Sequence, residues 1–347
     1  MLNKKTGLKF LSITLCSVMS LSIANFSIGA EEASKDAKNA SDILSESDYA
    51  SYLAEYSQAK YAADEILINT DMLNGVDNAE SVTSAEGKKA VLIGDGNGYA
   101  EYRFDVKENG LYNICLEYMP VEDTGMSIRL SFEIDGKSPY DELKEVSFSR
   151  IWVNKAEEIE KDEQGNELRP EQKEKFAFRT EWAENDLGLY SKPYAVYLEE
   201  GSHSLKISRD AEALLVSSVV LKQYGSDTES YETYLKGNSS VKIADKDYKI
   251  EAENVIEKSS STLASTIDNT NAGMSPQSSK YSVVNSFGKD SWKENGQWAS
   301  WAVPSDLEEG MYILRFRAKQ TGEAGTTTYR KLLINGALPF KEAESIG

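Results

Sequence analysis

Apolar and polar residues alternate with a period of two along several short segments of this chain. A period of two predicts β-strands with one face in a core and the other in water. Turn-forming sequences such as Asp135–Gly136 and residues 199–202 lie between these segments and predict hairpins. The alternating apolar positions are Tyr112, Ile114, Leu116, Tyr118, Ile128, Leu130, Phe132, Ile134, Tyr312, Leu314 and Phe316.

Two parts of the sequence match each other. Residues 110–142 align without a gap with residues 310–342, and just upstream residues 99–102 match residues 298–301. Self-similarity of this kind is typical of a chain built from two copies of one structural unit. Many short strands, glycine turns and little helix predict an all-β protein with two β-sandwich (jelly-roll) modules.

Helical periodicity is confined to residues 47–64 and 226–236, and each segment precedes one module. Residues 31–45 are polar and charged, which is typical of a flexible linker. The predicted order is a signal peptide over 1–30, a linker over 31–45, a first module over 46–225 and a second module over 226–347. The second copy has no counterpart of residues 143–225 beyond its first few positions, so we expect it to be truncated and the chain to be a fragment.

The N-terminus has the order of a secretory signal peptide. Lysines are followed by an apolar run over residues 10–23 and then by small residues up to Ala30. The run is shorter than the roughly 18 residues of a membrane span. Leu15 stands before Cys16 where a lipoprotein signal has a small residue, so cleavage near Ala30 is favoured over a lipid anchor. We expect a secreted, extracellular protein associated with the cell surface.

Charge and cysteine content limit the functional classes to which the protein can belong. The formal net charge is −19, and it becomes −22 without the three lysines of residues 1–30. So acidic a chain is not expected to bind nucleic acid or an anionic surface by charge. Cys115 is the one cysteine after residue 30, which leaves no pair for an intramolecular disulfide. The sequence contains no nucleophile motif, histidine cluster or glycine-rich phosphate loop, so we expect no enzymatic activity.

The aromatic and turn positions of both copies resemble carbohydrate-binding modules of the galactose-binding-like sandwich superfamily. The resemblance extends over residues 65–225 and 248–347, and it implies a galactose-binding-like fold that binds an oligosaccharide or polysaccharide. The segments that carry it are 196–207 (closing hairpin), 250–254 (opening strand), 296–304, 309–316 and 333–336.

A narrower resemblance is to the N-terminal region of extracellular solute-binding proteins of Gram-positive ABC importers. It rests on residues 148–152, 166–170 and 330–343. In those proteins two such modules precede a solute-binding domain, which these residues do not include, so that domain and the ABC permease are the implied partners. Two alternatives stay open: a cell-surface adhesion or spacer module, and an accessory binding region of a secreted glycoside hydrolase.

Aromatic side chains in loops are the candidates for sugar stacking, with arginines nearby to bond hydroxyl groups. Strand parity predicts that Tyr102 and Trp301 lie in the cores, and that Tyr99 and Trp298 lie at loop edges. For Trp152 and Trp182, in the long polar segment 149–192, packing or docking onto the C-terminal domain competes with sugar binding. The candidate ligand-binding residues are Tyr99, Arg150, Trp152, Arg169, Trp182, Tyr190, Trp292 and Trp298.

The resemblance also implies a structural calcium ion near Glu251 and Glu253, since oxygen ligands suit this ion. The competing interpretation is two exposed acids on a strand edge. No other cofactor is expected.

Overall fold

The computed structural model describes residues 48–209, 212–270, 273–320 and 325–347, and also the backbone of residues 12–18. These residues form two units. The first unit contains residues 48–150 and 176–226, and the second contains 12–18, 151–175 and 227–347. The predicted linker, and the predicted signal peptide apart from Ser12–Val18, lie outside the described residues. None of the helices in the described ranges is long and apolar enough to cross a membrane.

The first unit is a sandwich of two antiparallel sheets, which agrees with the predicted fold class. One sheet has the strand order β12-β7-β15-β5-β4, with β13 also paired to β7 and β2 to β15, and the other has the order β3-β6-β14-β8-β9. Numbered along the whole chain, its strands are β2 (Ile66–Asn69), β3 (Leu73–Asp77), β4 (Ala79–Thr83), β5 (Lys89–Ile93), β6 (Gly98–Val106), β7 (Gly110–Pro120), β8 (Ile128–Ile134), β9 (Val146–Phe148), β12 (Arg179–Trp182), β13 (Ala195–Leu198), β14 (Gly201–Arg209) and β15 (Leu214–Lys222).

The second unit contains one six-stranded antiparallel sheet and one two-stranded sheet. The order in the larger sheet is β11-β10-β16-β19-β1-β20, and β17 pairs with β18. The strands are β1 (Ser12–Val18), β10 (Trp152–Asn154), β11 (Gln172–Glu174), β16 (Glu257–Lys258), β17 (Ser265–Thr266), β18 (Ser286–Phe287), β19 (Trp298–Ala302) and β20 (Tyr329–Ile334).

The described part of each unit contains one short helix: α1 (Tyr49–Glu55) in the first and α2 (Tyr231–Gly237) in the second. The Asp48 side chain accepts a hydrogen bond from the Ser51 amide at 2.6 Å and caps α1. A second acid, Glu142, accepts from the Tyr49 amide at 2.9 Å. In the second unit Glu342 accepts from the Tyr231 amide at 2.7 Å. The described residues also form four 3₁₀ turns: Thr70–Met72, Asp141–Lys144, Lys289–Ser291 and Lys341–Glu344.

The core of the first unit lies between its two sheets. The predicted alternation holds in β8, where Ile128, Leu130 and Phe132 are buried and the residues between them are not. In β7 the prediction of a solvated face is wrong, because Asn113 and Cys115 are buried as well. Asn113 Nδ2 donates to the Pro193 carbonyl at 2.7 Å, so the segment before β13 covers this face. Burial raises the pKa of the Cys115 thiol to about 12, which keeps it protonated.

The strand expected over residues 311–318 is not formed in the second unit. Residues 312–320 have no regular structure there, and Ile313 and Phe316 are 76% and 52% exposed. The equivalent strand of the first unit, β7, is paired with β12, β13 and β15. Among the described residues, no strand of the second unit pairs with this segment, so its backbone stays irregular.

Residues 151–175 belong to the second unit, although their sequence position placed them in the predicted first module. They form the β10–β11 hairpin, and Trp152 on β10 lies opposite Lys258 on β16. The hairpin thus extends the six-stranded sheet of the second unit. Strand pairing across about a hundred residues of sequence is a tertiary property, which local patterns do not show.

Candidate functional site

A cleft lies beside α1 in the first unit. It has a volume of about 280 Å³. Its lining residues come from α1, from the segment that follows it, and from the loop before β13: Tyr49, Leu53, Tyr61, Leu189, Tyr190, Ser191 and Lys192. The volume is near the lower end of the range for small-molecule pockets, about 300 Å³.

The floor of this cleft is rigid. Tyr49 is buried on α1, and its hydroxyl accepts a hydrogen bond from the Ala195 amide at 3.0 Å. The Tyr190 ring packs edge-on against the Tyr49 ring, with centroids 4.8 Å apart, and Tyr194 does the same at 5.0 Å. Edge-to-face packing of this kind stabilises aromatic clusters. The half-buried ring of Tyr190 is therefore held at the cleft by the core.

The loop that forms the wall is ordered by one asparagine. Asn185 Oδ1 accepts from the amides of Leu187 and Leu189 at 3.1 and 3.0 Å, and its Nδ2 donates to the Tyr194 hydroxyl at 2.9 Å. Leu187 and Leu189 are left 70% and 62% exposed. Exposed apolar side chains in an ordered loop are suited to contact a ligand rather than to stabilise the fold.

The cleft carries polar groups in defined protonation states. Burial, and then the nearby carboxylates of Glu142 and Asp48, raise the pKa of Tyr190, so its hydroxyl remains protonated at neutral pH. The Lys192 ammonium lies 5.9 Å from the centroid of the Tyr61 ring. Tyrosine hydroxyls and an ammonium group can bond hydroxyl groups of a ligand, while the rings offer flat apolar surface.

A second, smaller cleft lies in the second unit. It has a volume of about 160 Å³ and a polar lining: Arg169, Ala264, Thr266, Gly288, Lys289, Asp290 and Ser291. Arg169 is oriented by a 3.1 Å hydrogen bond from Nη2 to the Thr262 carbonyl. The lining has charges of both signs and no aromatic ring, so it lacks the stacking surface of the first cleft.

The structure separates the predicted ligand-binding residues of the first unit. Tyr190 alone among them lines the cleft beside α1. Trp182 is half-buried on β12, with its ring edge-on to Tyr224 at 5.1 Å. Tyr99 is half-buried on β6, and the Lys206 ammonium lies 4.9 Å from its centroid. A ligand role for Trp182 and Tyr99 stays a prediction.

Arg150 lies inside the fold rather than at a cleft. It is 4% exposed and forms an ion pair with buried Glu212. Its guanidinium also donates to the carbonyls of Met126 at 2.6 Å and Glu122 at 2.8 Å. Arg150 therefore anchors the loop after β7, where the sequence suggested a ligand contact.

Three of the four predicted residues of the second unit lie in separate places. Arg169 lines the smaller cleft, and Trp152 is half-buried on β10. Trp292 is half-buried in an aromatic cluster with Phe287 at 5.3 Å and Trp301 at 6.2 Å. The Arg330 guanidinium covers the Trp292 ring at 5.2 Å. The ring is therefore enclosed by its neighbours.

The prediction that Trp301 lies in a core and Trp298 at a loop edge is wrong. Trp298 is 2% exposed and Trp301 is half-buried, with its Nε1 donating to the Ala252 carbonyl at 2.9 Å. In the first unit the corresponding prediction holds, because Tyr102 is buried and Tyr99 is half-buried. Tyr102 packs in the core that both sheets of the sandwich form, whereas the segment that would face Trp301, residues 312–320, forms no strand.

Sequence reasoning missed Tyr49, Tyr61 and Lys192 as cleft residues. The sequence places Tyr49 in a helix over 47–64, but the helix ends at Glu55, so Tyr61 lies in an irregular segment bridged to Leu111. The apolar residues Leu187 and Leu189 within a polar loop were the one available signal. Because more than a hundred residues separate α1 from this loop, the sequence does not indicate that they are in contact.

The two acids suggested for calcium are close in sequence but are not joined by further ligands. Glu251 pairs with Lys249, and burial raises the pKa of the Glu253 carboxyl, which favours its neutral form. The described residues contain no group of three or more acidic, histidine or cysteine side chains that could hold a metal ion. Such a donor set fits calcium poorly, and the ion stays a prediction.

Lys258 is expected to make the stability of the second unit rise with pH. Burial, and then the charge of Arg169, lower its pKa to about 8, and Nζ donates to Asn154 Oδ1 at 2.9 Å. Between pH 8 and about 9.5 the folded unit loses this proton while the unfolded chain, with a lysine pKa of about 10.4, keeps it. Denaturation followed by tryptophan fluorescence in a Trp182→Phe background, which leaves only second-unit tryptophans, measures this slope.

Lys258→Met is the control for this slope. The variant removes the buried titratable group, so its stability should vary less with pH over the same range. Equal slopes for the parent and Lys258→Met would contradict the assignment.

No protein-family model and no curated protein matches the sequence. Among solved structures, the chain is similar to the C-terminal CBM6 of LamC, a laminarinase of Zobellia galactanivorans, with 9% identity over 46% of this chain and 100% of that chain and a TM-score of 0.28. It is similar to a family 35 carbohydrate-binding module of Clostridium thermocellum, with 12% identity over 47% of this chain and 100% of that chain and a TM-score of 0.28. It is also similar to a GH26-CBM35 mannanase of Podospora anserina, with 11% identity over 52% of this chain and 36% of that chain and a TM-score of 0.29. Similarity at this level assigns neither ligand nor activity to the chain.

Proposed function

We propose that this chain is a non-catalytic, extracellular carbohydrate-binding region, and that the cleft beside α1 holds the sugar. The observation that carries the proposal is the juxtaposition of the Tyr190 ring, the exposed Leu189 side chain and the Lys192 ammonium around one concave surface. A pyranose has an apolar face for the ring and hydroxyl groups for the ammonium and for Ser191.

The construction of the cleft favours a neutral ligand. The only cation in its lining is Lys192, and the carboxylates of Glu142 and Asp48 act on Tyr190 from nearby. A ligand with several negative charges would face these acids and the strongly negative chain as a whole. Neutral sugars bind through stacking and hydrogen bonds, which this charge distribution does not oppose.

We base the proposed context of the two units on the sequence resemblance. In that context the two units precede the solute-binding domain of a sugar ABC importer and present or concentrate carbohydrate for that domain. An accessory region of a secreted glycoside hydrolase would use the same cleft. An adhesion or spacer module would not need it, so sugar binding separates that alternative from the other two.

Tyr190→Ala is expected to weaken sugar binding by about 1–3 kcal/mol, roughly 5–150-fold in Kd, because it removes the stacking surface. A glycan array probed with residues 31–347 identifies the ligand, and calorimetric titration then compares the variants. Tyr190→Phe keeps the ring, so it should retain most of the affinity.

Tyr99→Ala is the matched control, since Tyr99 is also half-buried beside a lysine but lies on β6 outside the cleft. It should bind the sugar as the parent does. A folded Tyr190→Ala variant with parental affinity would rule out the cleft. Weakening by Tyr99→Ala instead would place the sugar elsewhere, and no glycan bound by the parent would reject the function.

A further inference from the structure

One internal strand of the six-stranded sheet in the second unit, β1, comes from near the N-terminus of the chain. β1 lies between β19 and β20 and is antiparallel to both. In this register Ile13 lies opposite Trp301 on one side and Ile334 on the other, and Leu15 lies opposite Ala299 and Leu332. The two flanking strands are thus joined through β1.

The first unit has an equivalent arrangement with a different strand in the middle. β14 lies between β6 and β8 and is antiparallel to both. Leu205 lies opposite Tyr102 and Ile134, and two residues later Ile207 lies opposite Ala100 and Phe132.

The two registers coincide once the internal repeat is applied. Tyr102 and Ala100 correspond in sequence to Trp301 and Ala299, and Ile134 and Phe132 correspond to Ile334 and Leu332. Ile13 and Leu15 therefore hold the backbone positions of Leu205 and Ile207. Both strands carry large aliphatic residues at these two positions, with one polar residue between them.

We propose that the gap between β19 and β20 is a strand-acceptor site. It takes one antiparallel strand with aliphatic residues at two alternate positions, and residues 12–18 of this chain are its occupant while the N-terminus is retained. Main-chain hydrogen bonds to two strands supply the affinity, and the pleat fixes which residues lie opposite each other.

The site has a consequence for the exported chain. Removal of residues 1–30, which the sequence predicts, withdraws β1 and leaves one edge each of β19 and β20 unpaired. Unpaired strand edges take up an added strand readily. The second unit without residues 1–30 is then expected to bind residues 12–18 when they are supplied as a separate peptide.

Hydrogen exchange on the full chain and on residues 31–347 tests the proposal. We expect the amides of β19 and β20 to exchange at least about tenfold faster in the shorter chain, while those of β6 and β8 are unchanged. A peptide with the sequence of residues 11–19, carrying C16S to prevent oxidation, should restore protection saturably. The same peptide with I13S and L15S should not.

A substitution within the full chain keeps the test valid if residues 227–347 unfold without β1. Ile13→Asp combined with Leu15→Asp should accelerate exchange in β19 and β20 and leave β6 and β8 as the internal reference. Unchanged exchange in both the shortened chain and this variant would overturn the proposal. So would equal protection by the I13S/L15S peptide, because binding would then not depend on the strand pattern.

Discussion

Glu212→Leu is expected to lower the free energy of unfolding of the first unit by about 3–5 kcal/mol. Glu212 is 7% exposed and pairs with both Arg150 and Arg209, which are 4% and 2% exposed. The Arg209 Nη2 atom lies 2.9 Å from the carboxylate. Removing this carboxylate takes away a buried counter-charge that the two guanidinium groups share. Denaturant titration followed by amide exchange in β7 and β15 measures the loss.

A surface ion pair of the same unit supplies the control. Arg129 and Glu145 are paired, but their side chains are 57% and 60% exposed, so Glu145→Gln should change stability by less than about 1 kcal/mol. Replacing Arg150, Arg209 and Glu212 together by apolar residues should recover much of the loss, since all three buried charges are then removed at once. A Glu212→Leu variant within 1 kcal/mol of the parent would contradict the buried ion-pair cluster.

Shortening the β10–β11 hairpin should destabilise the second unit by about 2–6 kcal/mol, because the bond from Arg169 to the Thr262 carbonyl and three bonds to residues 282–284 are lost, at about 0.5–1.5 kcal/mol each. Glu167 Oε2 accepts from the Val284 amide at 2.8 Å, the Glu167 amide donates to the Ser282 carbonyl at 2.9 Å, and Asn166 Oδ1 accepts from the Ser282 amide at 3.0 Å. The variant replaces residues 156–170 by an Asn-Gly turn.

Amide exchange at Ser282 and Val284 reports the effect directly, and both should exchange faster in the shortened variant. Glu167→Ala removes one acceptor and should accelerate Val284 alone. Gln164→Ala, at an exposed position of the same hairpin, is expected to have no effect. Unchanged exchange at both amides, or an equal loss of protection in the first unit, would show that the hairpin does not support the second unit in this way.

The sequence was sufficient to predict many of the strands and turns, because the signals for them are local. The alternation in β8 predicts its buried face correctly, since one side of that strand packs in the core. Asp135 and Gly136 both have positive φ, at 51° and 80°, as an Asp-Gly hairpin turn requires, and Asn335 and Gly336 repeat these values at 52° and 81°. Such features depend on a few neighbouring residues, so they can be predicted from the sequence.

The tertiary structure alone decided which of these elements meet. It joined α1 to the loop before β13 and so formed the cleft, of which only Tyr190 was a sequence candidate. It placed residues 151–175 in the second unit, and it placed β1 in the register that β14 has in the first. It also reversed the exposure of Trp298 and Trp301. Parity states that two residues lie on opposite faces of a strand, but which face is buried depends on what the rest of the chain packs against it.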